Sequence, residues 1–273
     1  MSAYQSHQPA CLLSVQSAVI WGFVGNEAAS LIHARLGHHA LRLDTVRLAA
    51  HPGHGCRFRH NTPAAALRGL LQDFAQLPMA GQLDAVQSGY FGAAGQPAEL
   101  ADFLEQAKPP LYLLDPVLGD NGQLYVAPQI AAAIRGKLLP HADIITPNAF
   151  ELGWLTGLAV TNLAEAEQAA ASLLEAGPGA VLATGISLPG GQVGDLLLNR
   201  ESRALFSGPA SPQGVSGAGD CLAALLLGLM LAGQPLAEAA QKASQITREM
   251  IARAPDSLDM DLANQLALIT GLA

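Results

Sequence analysis

The sequence predicts an α/β protein, a three-layer α/β/α sandwich with a mostly parallel central sheet. Two observations predict this fold. Short apolar runs alternate with longer segments of helical periodicity along most of the 273 residues, a pattern typical of parallel strands joined by right-handed helical crossovers. Residues Gly191 to Phe206 differ, because two apolar runs flank Asn199-Arg200-Glu201-Ser202. That stretch predicts an antiparallel hairpin at an edge of the sheet.

Six short apolar runs are the predicted parallel strands: Cys11 to Val15, Ala40 to Leu43, Asp84 to Gln87, Leu111 to Leu114, Asp143 to Ile145 and Ala180 to Ala183. The longer segments between them are predicted helices: Asn26 to Leu36, Pro63 to Phe74, Gln96 to Gln106, Pro128 to Leu138 and Leu163 to Leu173. Two more helices are predicted to follow the hairpin, Ala218 to Leu231 and Leu236 to Ala252.

The chain is predicted to form one domain, residues 11–273. Half of all residues are hydrophobic, which is enough for a large core. The sequence has no internal repeat, low-complexity tract or linker that would divide it. The first ten residues are polar and are expected to be disordered.

Composition excludes several classes of function. The net charge is −8, from 22 acidic and 14 basic residues, and no stripe of Lys or Arg could follow a phosphate backbone. The apolar runs, such as Leu222 to Leu231, are shorter than the roughly 20 residues of a membrane-spanning helix. Cys11, Cys56 and Cys221 have neither the number nor the spacing of a disulfide framework or a zinc site. We expect a cytoplasmic protein that binds neither nucleic acid nor membrane.

Polar residues follow the predicted strands. In open parallel sheets, ligands bind beyond the carboxyl ends of the strands. Here the residues at those positions offer hydroxyls, amides and carboxylates from a single edge: Gln16-Ser17, Asp44-Thr45, Ser88-Gly89-Tyr90, Asp115-Pro116, Thr146-Pro147-Asn148 and Thr184-Gly185. The sequence therefore predicts a ligand site at this edge.

The segment Ser216-Gly217-Ala218-Gly219-Asp220 runs directly into an apolar helix. Small residues let backbone N–H groups approach an anion, the helix N-terminus carries partial positive charge, and Asp220 can act on a hydroxyl held there. This combination indicates phosphoryl transfer to an alcohol. Taken alone, the segment is equally typical of an ordinary turn before a helix.

Two other segments carry groups suited to a metal–nucleotide complex. Asp115-Pro116-Val117-Leu118-Gly119-Asp120 places two carboxylates in one loop, and magnesium binds such oxygen ligands. Thr146-Pro147-Asn148-Ala149-Phe150-Glu151 starts a short helix, with Pro147 expected in its first turn and Asn148 and Glu151 able to orient metal-bound waters. The alternatives are aspartates that cap the backbone or face solvent, and a polar helix cap.

A strand, a glycine-punctuated loop and a helix are predicted across Ser14-Val15-Gln16-Ser17 and Gly22-Phe23-Val24-Gly25-Asn26. The glycines allow a flat ligand to lie on the backbone while Ser17 hydrogen-bonds to it. The alternative is a tight turn between strand and helix. The spacing is not that of a dinucleotide-binding motif.

The segment from His51 to His60 concentrates histidine and basic residues after the second strand. We interpret it as a mobile flap over a substrate, with a plain surface loop as the alternative. Its turn-rich spacing matches no standard frame of metal ligands. Cys56 is interpreted as a structural or incidental thiol.

In order along the chain, these motifs resemble those of pyridoxal kinases of the ribokinase-like superfamily. The resemblance extends from about Leu12 to the helix after Asp220. It rests on Ser14-Val15-Gln16-Ser17, Gly22-Phe23-Val24-Gly25-Asn26, Ser88-Gly89-Tyr90, Asp115-Pro116-Val117-Leu118-Gly119-Asp120, Thr146-Pro147-Asn148-Ala149-Phe150-Glu151 and Gly217-Ala218-Gly219-Asp220.

The resemblance implies a role for each matching residue. Asp220 would be the catalytic base, and the amides of Gly217, Ala218 and Gly219 would form the anion hole for the transferred γ-phosphoryl group. The substrate would bind Ser17, Val24, His51, Tyr90 and Asp220. ATP would bind Asp115, Thr146, Asn148, Glu151 and Thr184, and magnesium would bind Asp115, Asp120 and Glu151 directly or through water. The resemblance also implies a homodimer, and it leaves a monovalent cation open.

The chain departs from the pyridoxal kinase pattern at the predicted substrate side. Ala18 stands where these kinases usually have histidine, Leu48-Ala49-Ala50-His51-Pro52 replaces Phe-Ser-Asn-His-Thr, and Ala218 replaces a common threonine. The expected function is ATP-dependent phosphorylation of the hydroxymethyl group of pyridoxal. The alternatives are a kinase for a related heterocycle such as hydroxymethylpyrimidine, and a degenerate protein that only binds pyridoxal.

Overall fold

The computed structural model describes residues 9–211, 214–254 and 258–269. The strands are β1 Cys11–Val19, β2 His39–Leu48, β3 Arg59–Asn61, β4 Ala85–Ser88, β5 Tyr112–Leu114, β6 Gly119–Asp120, β7 Gln123–Leu124, β8 Ile144–Ile145, β9 Ala180–Leu188, β10 Gln192–Asn199 and β11 Arg203–Pro209. The helices are α1 Asn26–Arg35, α2 Ala64–Ala75, α3 Gln96–Ala107, α4 Pro128–Ala133, α5 Ala149–Thr156, α6 Leu163–Leu174, α7 Ala218–Leu231, α8 Leu236–Arg253 and α9 Leu262–Gln265.

Nine strands form one sheet in the order β11-β10-β9-β8-β5-β4-β1-β2-β3, and β6 and β7 form a separate small hairpin. The six central strands pair in parallel, from β2 through β1, β4, β5 and β8 to β9. β3 at one edge and β10 and β11 at the other pair antiparallel. The predicted mostly parallel sheet is confirmed.

Helices cover both faces of the sheet and bury two apolar cores. One core contains Leu100 and Phe103 of α3, Leu152 of α5 and Leu173 of α6. The core on the opposite face contains Ile32 of α1 together with the apolar side chains of α7 and α8. Since α7 is apolar on nearly all sides, it is buried along most of its length. The predicted three-layer sandwich is confirmed.

The predicted edge hairpin is present as β10 and β11. Its turn is closed by Asn199, whose Oδ1 accepts hydrogen bonds from the amides of Glu201 and Ser202. Asn is a favoured residue in such turns because its side chain can replace a backbone acceptor.

β1 and β2 are longer than the apolar runs that predict them. β1 continues to Val19 although Ser14, Gln16 and Ser17 are polar, and all three are buried. Their burial is compensated by side-chain hydrogen bonds, such as those from Gln16 Nε2 to Ser14 Oγ and from Ser14 Oγ to Asn26 Oδ1. A pattern based on apolar residues alone cannot detect such a polar core strand.

Three further local predictions differ from the structure. The predicted helix from Pro128 to Leu138 is an α-helix only as far as Ala133, and a wider π-helical turn covers 134–138. Gly136 favours helix weakly and Pro140 has no N–H to continue one. Pro147 precedes α5, since Asn148 occupies the N-cap position. β3 was not predicted because Arg59-His60-Asn61 has no apolar alternation.

Of the ten residues expected to be disordered, the first eight lie outside the described residues. Ala10 is buried, and its amide donates to Nδ1 of His38, so described packing begins one residue before the predicted domain boundary. Within the described ranges, none of the helices has both the length and the apolarity needed to cross a bilayer.

Candidate active site

Backbone hydrogen bonds connect the carboxyl ends of β4, β5 and β8 with the middle of β9, which continues to Leu188 and so contains Thr184 instead of ending before it as predicted. The amide of Asp115 donates to Ser88 O, and that of Thr146 donates to Leu114 O. Thr184 N donates to Pro147 O at 2.9 Å, and Thr184 forms an isolated parallel bridge with Asn148. These bonds bring the predicted nucleotide residues to one edge of the sheet.

The N-terminus of α7 opens at this edge. Gly217 occupies the N-cap position with φ of +91°, and a Cβ there would lie 2.1 Å from Phe23 O. Only glycine fits this conformation and this close approach. The first-turn amides of Ala218 and Gly219 have no acceptor within the helix, and glycine has no side chain to cap them. The Ala218 amide has only a long hydrogen bond, of 3.4 Å, to Val215 O outside the helix. A helix N-terminus of this kind is suited to binding an anion.

Asp220 lies in the first turn of α7 and is half-buried. Burial raises the pKa of its carboxyl to about 6, although the amides of Gly25 and of Asp220 itself donate to it and work in the opposite direction. The Glu27 carboxylate raises this pKa further. A carboxyl with this pKa is ionised at neutral pH and is more basic than an ordinary aspartate, which suits a general base.

Gly25 is a site residue whose role the sequence did not indicate. Its φ is +53°, and a Cβ there would lie 2.4 Å from both the backbone oxygen and Oγ of Ser17. The residue therefore holds the end of β1 against the N-terminus of α1. The Gly25 amide also donates to the carboxyl of Asp220. Gly25 therefore contacts both Ser17, a predicted substrate-binding residue, and Asp220, the predicted base.

Asp115 lies directly after β5 and is buried. Burial raises the pKa of its carboxyl well above the usual value, and the charges of Glu151 and Asp220 raise it further. A Cβ on Gly219 would lie 3.9 Å from Asp115 Oδ2, so this carboxylate faces the first turn of α7. Carboxylates from three segments are therefore close enough to influence one another.

Glu151 and Asn148 form a capping box at the N-terminus of α5. Asn148 Oδ1 accepts from the Glu151 amide, and Glu151 Oε2 accepts from the Asn148 amide, both at 2.9 Å. Glu151 Oε1 also accepts from Leu118 N at 2.7 Å, while Asn148 Nδ2 donates to Gly119 O. The helix cap predicted as an alternative is thus present, and it also fixes the loop after Asp115.

Burial raises the pKa of Glu151 to about 7, and the Asp120 charge raises it further, whereas the three backbone amides that donate to it lower it. Asp120 itself is exposed, and its carboxylate accepts hydrogen bonds from Asn121 in a local turn. The structure therefore gives Asp120 an electrostatic influence on Glu151 without a direct contact.

The donor set around Asp115 fits magnesium. Magnesium prefers oxygen ligands and is commonly held by one or two carboxylates together with water and phosphate oxygens. Asp115 and Glu151 are buried carboxyls with raised pKa values, so a nearby cation would favour their charged forms.

On the predicted substrate side, Ser17 and Val24 are buried next to Gly25. Tyr90 is half-buried, its backbone oxygen accepts from Thr45 Oγ1 at 2.6 Å, and its hydroxyl accepts from Arg59 at 3.1 Å. Arg59 belongs to β3 and to the segment 51–60 predicted as a flap over the substrate, although the sequence did not indicate its contact with Tyr90.

His51 is buried and caps a 3₁₀ turn at 52–54, where its Nδ1 accepts from the amide of Gly53. Its Nε2 lies 3.0 Å from Oδ1 of Asp259. Both ring nitrogens thus face protein groups, and Asp259 is a neighbour that the sequence did not indicate. The segment 51–60 contains this turn and the start of β3, and its closure as a flap stays a prediction.

The fold and this site define a class, the ribokinase-like kinases, in which an anion hole at a helix N-terminus precedes an aspartate base. Residues 37–262 match the family described as phosphomethylpyrimidine kinase. A pyridoxal kinase of Rubrobacter xylanophilus is 36% identical over 238 residues, 84% of this chain and 82% of the relative. The chain belongs to the pyridoxal kinase family, and it is an enzyme, an ATP-dependent phosphotransferase.

Solved structures agree with this assignment. Pyridoxal kinase from Entamoeba histolytica superposes with a TM-score of 0.92 at 25% identity, covering 97% of each chain. Pyridoxal kinase from Leishmania donovani in complex with ADP and pyridoxine gives a TM-score of 0.89 at 25% identity, covering 95% of this chain and 94% of that one. The fold prediction and the family resemblance are confirmed.

Proposed function

We infer that this protein transfers the γ-phosphoryl group of ATP to the hydroxymethyl group of pyridoxal, giving pyridoxal 5′-phosphate in vitamin B6 salvage. Pyridoxine and pyridoxamine, which carry the same hydroxymethyl group, are further acceptors. The observation that carries this inference is the N-terminus of α7. There, amides that no side chain caps stand beside a carboxyl whose pKa burial raises to about 6.

In the proposed mechanism, Asp220 accepts the proton of the substrate hydroxyl as the oxygen attacks the γ-phosphorus. The amides of Gly217, Ala218 and Gly219 stabilise the charge on the oxygens of the transferring group. The bond to the β-phosphate oxygen breaks, and ADP is the product. Magnesium supplies charge neutralisation on the ATP phosphates when it is bound.

We propose that the remaining predicted residues divide between two subsites. Ser17, Val24, His51 and Tyr90 belong to the vitamer side, and Asp115, Thr146, Asn148, Glu151 and Thr184 belong to the nucleotide side. Asp115 and Glu151 are proposed to hold magnesium directly or through water. Asp120 is proposed to act on it only through water, because its carboxylate is exposed and bonded within its own turn.

A second acceptor, hydroxymethylpyrimidine, remains a candidate. The matching family is described as phosphomethylpyrimidine kinase, and the segment Leu48-Ala49-Ala50-His51-Pro52 lacks the three polar residues Ser, Asn and Thr of the pyridoxal kinase pattern. An unmet hydrogen bond in a buried site costs roughly 1–3 kcal/mol, enough to change the preferred acceptor.

The testing experiment measures ATP consumption with pyridoxal, pyridoxine, pyridoxamine and hydroxymethylpyrimidine, each with magnesium. Asp220→Asn should lower kcat by about 10²–10⁴-fold, the usual contribution of a positioned base, and should leave ATP affinity nearly unchanged. Asp73→Asn, on the exposed face of α2, is the matched control and should behave as the wild type. Full turnover in Asp220→Asn would refute the role of Asp220. Vitamer binding without turnover would favour a binding protein.

We propose that residues 11–273 form one kinase domain that works as a homodimer in the cytoplasm, where ATP is available. Three large apolar side chains support the dimer: Ile20, Trp21 and Phe58 are 89%, 68% and 77% exposed. Ile20 and Trp21 lie at the end of β2, since their amides donate to the backbone of Leu48 and Ala49, and Phe58 directly precedes β3, which pairs with β2 at Leu48. A second copy could cover this patch.

A further inference from the structure

Two histidines and one aspartate converge at the turn near residue 52. His51 Nε2 lies 3.0 Å from Asp259 Oδ1, and His54 Nε2 lies 2.7 Å from Asp259 Oδ2. One ligand atom from each residue lies within 4.8 Å of the others. The two imidazole rings meet edge to face, with centroids 4.6 Å apart. This His51–His54–Asp259 cluster joins two segments about 200 residues apart in sequence.

The His51 ring lacks a hydrogen bond that its burial would require. Its side chain is only 11% exposed, and among the described residues Nε2 makes no hydrogen bond of acceptable geometry, although Asp259 Oδ1 is 3.0 Å away. Buried polar atoms normally have a partner. An imidazole nitrogen and a carboxylate oxygen this close together can become neighbouring ligands of one small dication after a small adjustment.

The donor chemistry distinguishes this cluster from the carboxylate site. Imidazole nitrogen is a borderline ligand that suits zinc and its neighbours in the transition series, whereas magnesium prefers oxygen.

Two existing hydrogen bonds must change for a metal to bind: the one between His54 Nε2 and Asp259 Oδ2 at 2.7 Å, which a metal between the two atoms would replace, and the one from Gly53 N to His51 Nδ1. Nδ1 of His51 accepts from Gly53 N, which places the ring proton on Nε2. Metal binding at Nε2 moves that proton to Nδ1 and releases the Gly53 amide. Since Gly53 is exposed, water can replace the lost acceptor, so this rearrangement does not prevent binding.

We propose that His51, His54 and Asp259 form a binding site for a transition-metal dication of the zinc type, with a fourth position open to water. The site clamps the segment around residue 52 to the segment around Asp259. Asp259 also pairs with Ser216 at the start of the anion-hole motif, and a Cβ on Gly22 would lie 2.9 Å from Asp259 Oδ1. A bound metal therefore fixes the segment around residue 52 relative to the segment around Asp259, which holds the start of the anion-hole motif.

The test is direct metal binding by the full chain after treatment with a chelator. Isothermal titration with ZnCl₂ should give one equivalent per chain, and CoCl₂ should give the visible spectrum of a tetrahedral site with nitrogen and oxygen ligands. His54→Ala and Asp259→Asn should each weaken zinc binding by at least about 100-fold, since even changes behind the ligands cost about 10–100-fold.

Two matched control variants test whether other possible metal ligands of the segment 51–60 bind the zinc instead. Cys56→Ser removes the exposed thiol, and His60→Ala removes an exposed histidine on β3. Both should bind zinc as the wild type does. The proposal is overturned if the wild type binds no zinc, if Cys56→Ser or His60→Ala abolishes binding, or if His54→Ala binds normally. His54 is 28% exposed, so its replacement keeps the test valid should Asp259→Asn fail to fold. None of these readouts depends on kinase activity.

Discussion

Asp220 has a raised pKa because the loss of hydration on burial outweighs the two amides that donate to its carboxylate. The same balance operates at Glu151, whose pKa is about 7 despite three donating amides. Both groups titrate close to neutral pH. Their protonation therefore controls the chemistry under ordinary conditions, unlike that of aspartates and glutamates in water.

We predict that kcat/KM falls as pH decreases, first through about 7 as Glu151 gains a proton and then more steeply through about 6 as Asp220 does. A protonated Asp220 cannot accept the substrate proton, so the loss should approach about tenfold per pH unit between 7 and 6 and about a hundredfold per pH unit below 6, where both groups are protonated. Initial rates between pH 5 and 8 measure this. A profile that stays flat down to pH 5 would contradict the proposed base.

The same shifts predict the sign of a stability effect. A raised pKa means that the native state holds its proton more tightly than the unfolded chain does. These two carboxyls favour folding at low pH and lose that contribution as pH rises through 6 and 7. The free energy of unfolding of the ligand-free protein should therefore include a contribution that decreases over this pH range.

Gly217 is predicted to be irreplaceable at the anion hole. Gly217→Ala adds a Cβ 2.1 Å from Phe23 O, whereas Gly37→Ala, also at positive φ, meets nothing within 4 Å. The difference isolates the close approach from backbone strain, and Gly217→Ala should be about 1–3 kcal/mol less stable than Gly37→Ala. Urea denaturation measures both. Equal losses in the two variants would show that the contact with Phe23 is unimportant.

At the scale of elements, α5 is both a structural and a functional unit, because its capping box also holds the loop after Asp115. Asn148→Ala should destabilise the protein by about 1 kcal/mol and raise KM for ATP, since Gly119 and Glu151 lose their partner. Asn162→Ala removes the matching cap of α6, where Asn162 Oδ1 accepts from Glu165.

The control variant Asn162→Ala should lose about as much stability as Asn148→Ala and keep the wild-type KM for ATP. Thermal denaturation and initial rates at varied ATP distinguish the two effects. An unchanged KM in Asn148→Ala would reduce Asn148 to a helix cap.

The parallel strands were predictable because each is a short apolar run between helices of 3.6-residue period. β3 was not predictable, since it is held by pairing with β2 rather than by its own sequence. The polar end of β1 was missed for a related reason. Its buried Ser14 and Gln16 are stabilised by Asn26 and by each other, which are partners that no pattern of apolar residues reveals.

The candidate site was predictable where its residues follow strands or start helices, as Asp115 and Asp220 do. Asp259 was missed because its contacts with His51 and Gly22 arise only when distant segments meet. Gly25 was included in a motif, but its contact with Asp220 could not be inferred from spacing. Asp120 has the right type of side chain, yet its turn directs it to solvent.

At the scale of the whole molecule, the sheet has two different edges. β10 and β11 extend one edge as a long hairpin, while β3 at the other edge has only three residues and adjoins the patch of Ile20, Trp21 and Phe58. A short, polar edge strand resists indiscriminate pairing with other chains. We propose that the neighbouring apolar side chains contact a second copy.

We predict a dimer in solution, with twice the 28.2 kDa mass of the chain. Trp21→Ser should shift the equilibrium toward monomer, because it removes a large apolar side chain from the centre of the patch. Leu158→Ser, at an exposed apolar residue beyond α5, is the control and should remain dimeric. Sedimentation equilibrium measures the mass. A monomeric wild type would contradict the dimer proposal.

The pairing of Ser216 with the segment 258–260 has a consequence for biosynthesis. The amide of Ser216 donates to Leu258 O, and Met260 N donates to Ser216 O, so the residue just before the anion hole is held from both sides by a segment translated more than 40 residues later. A nascent chain can assemble the sheet and most of its helices while the segment 258–260 is still inside the ribosome. Chains that end before residue 258 should therefore lack these two hydrogen bonds to Ser216 and should not consume ATP.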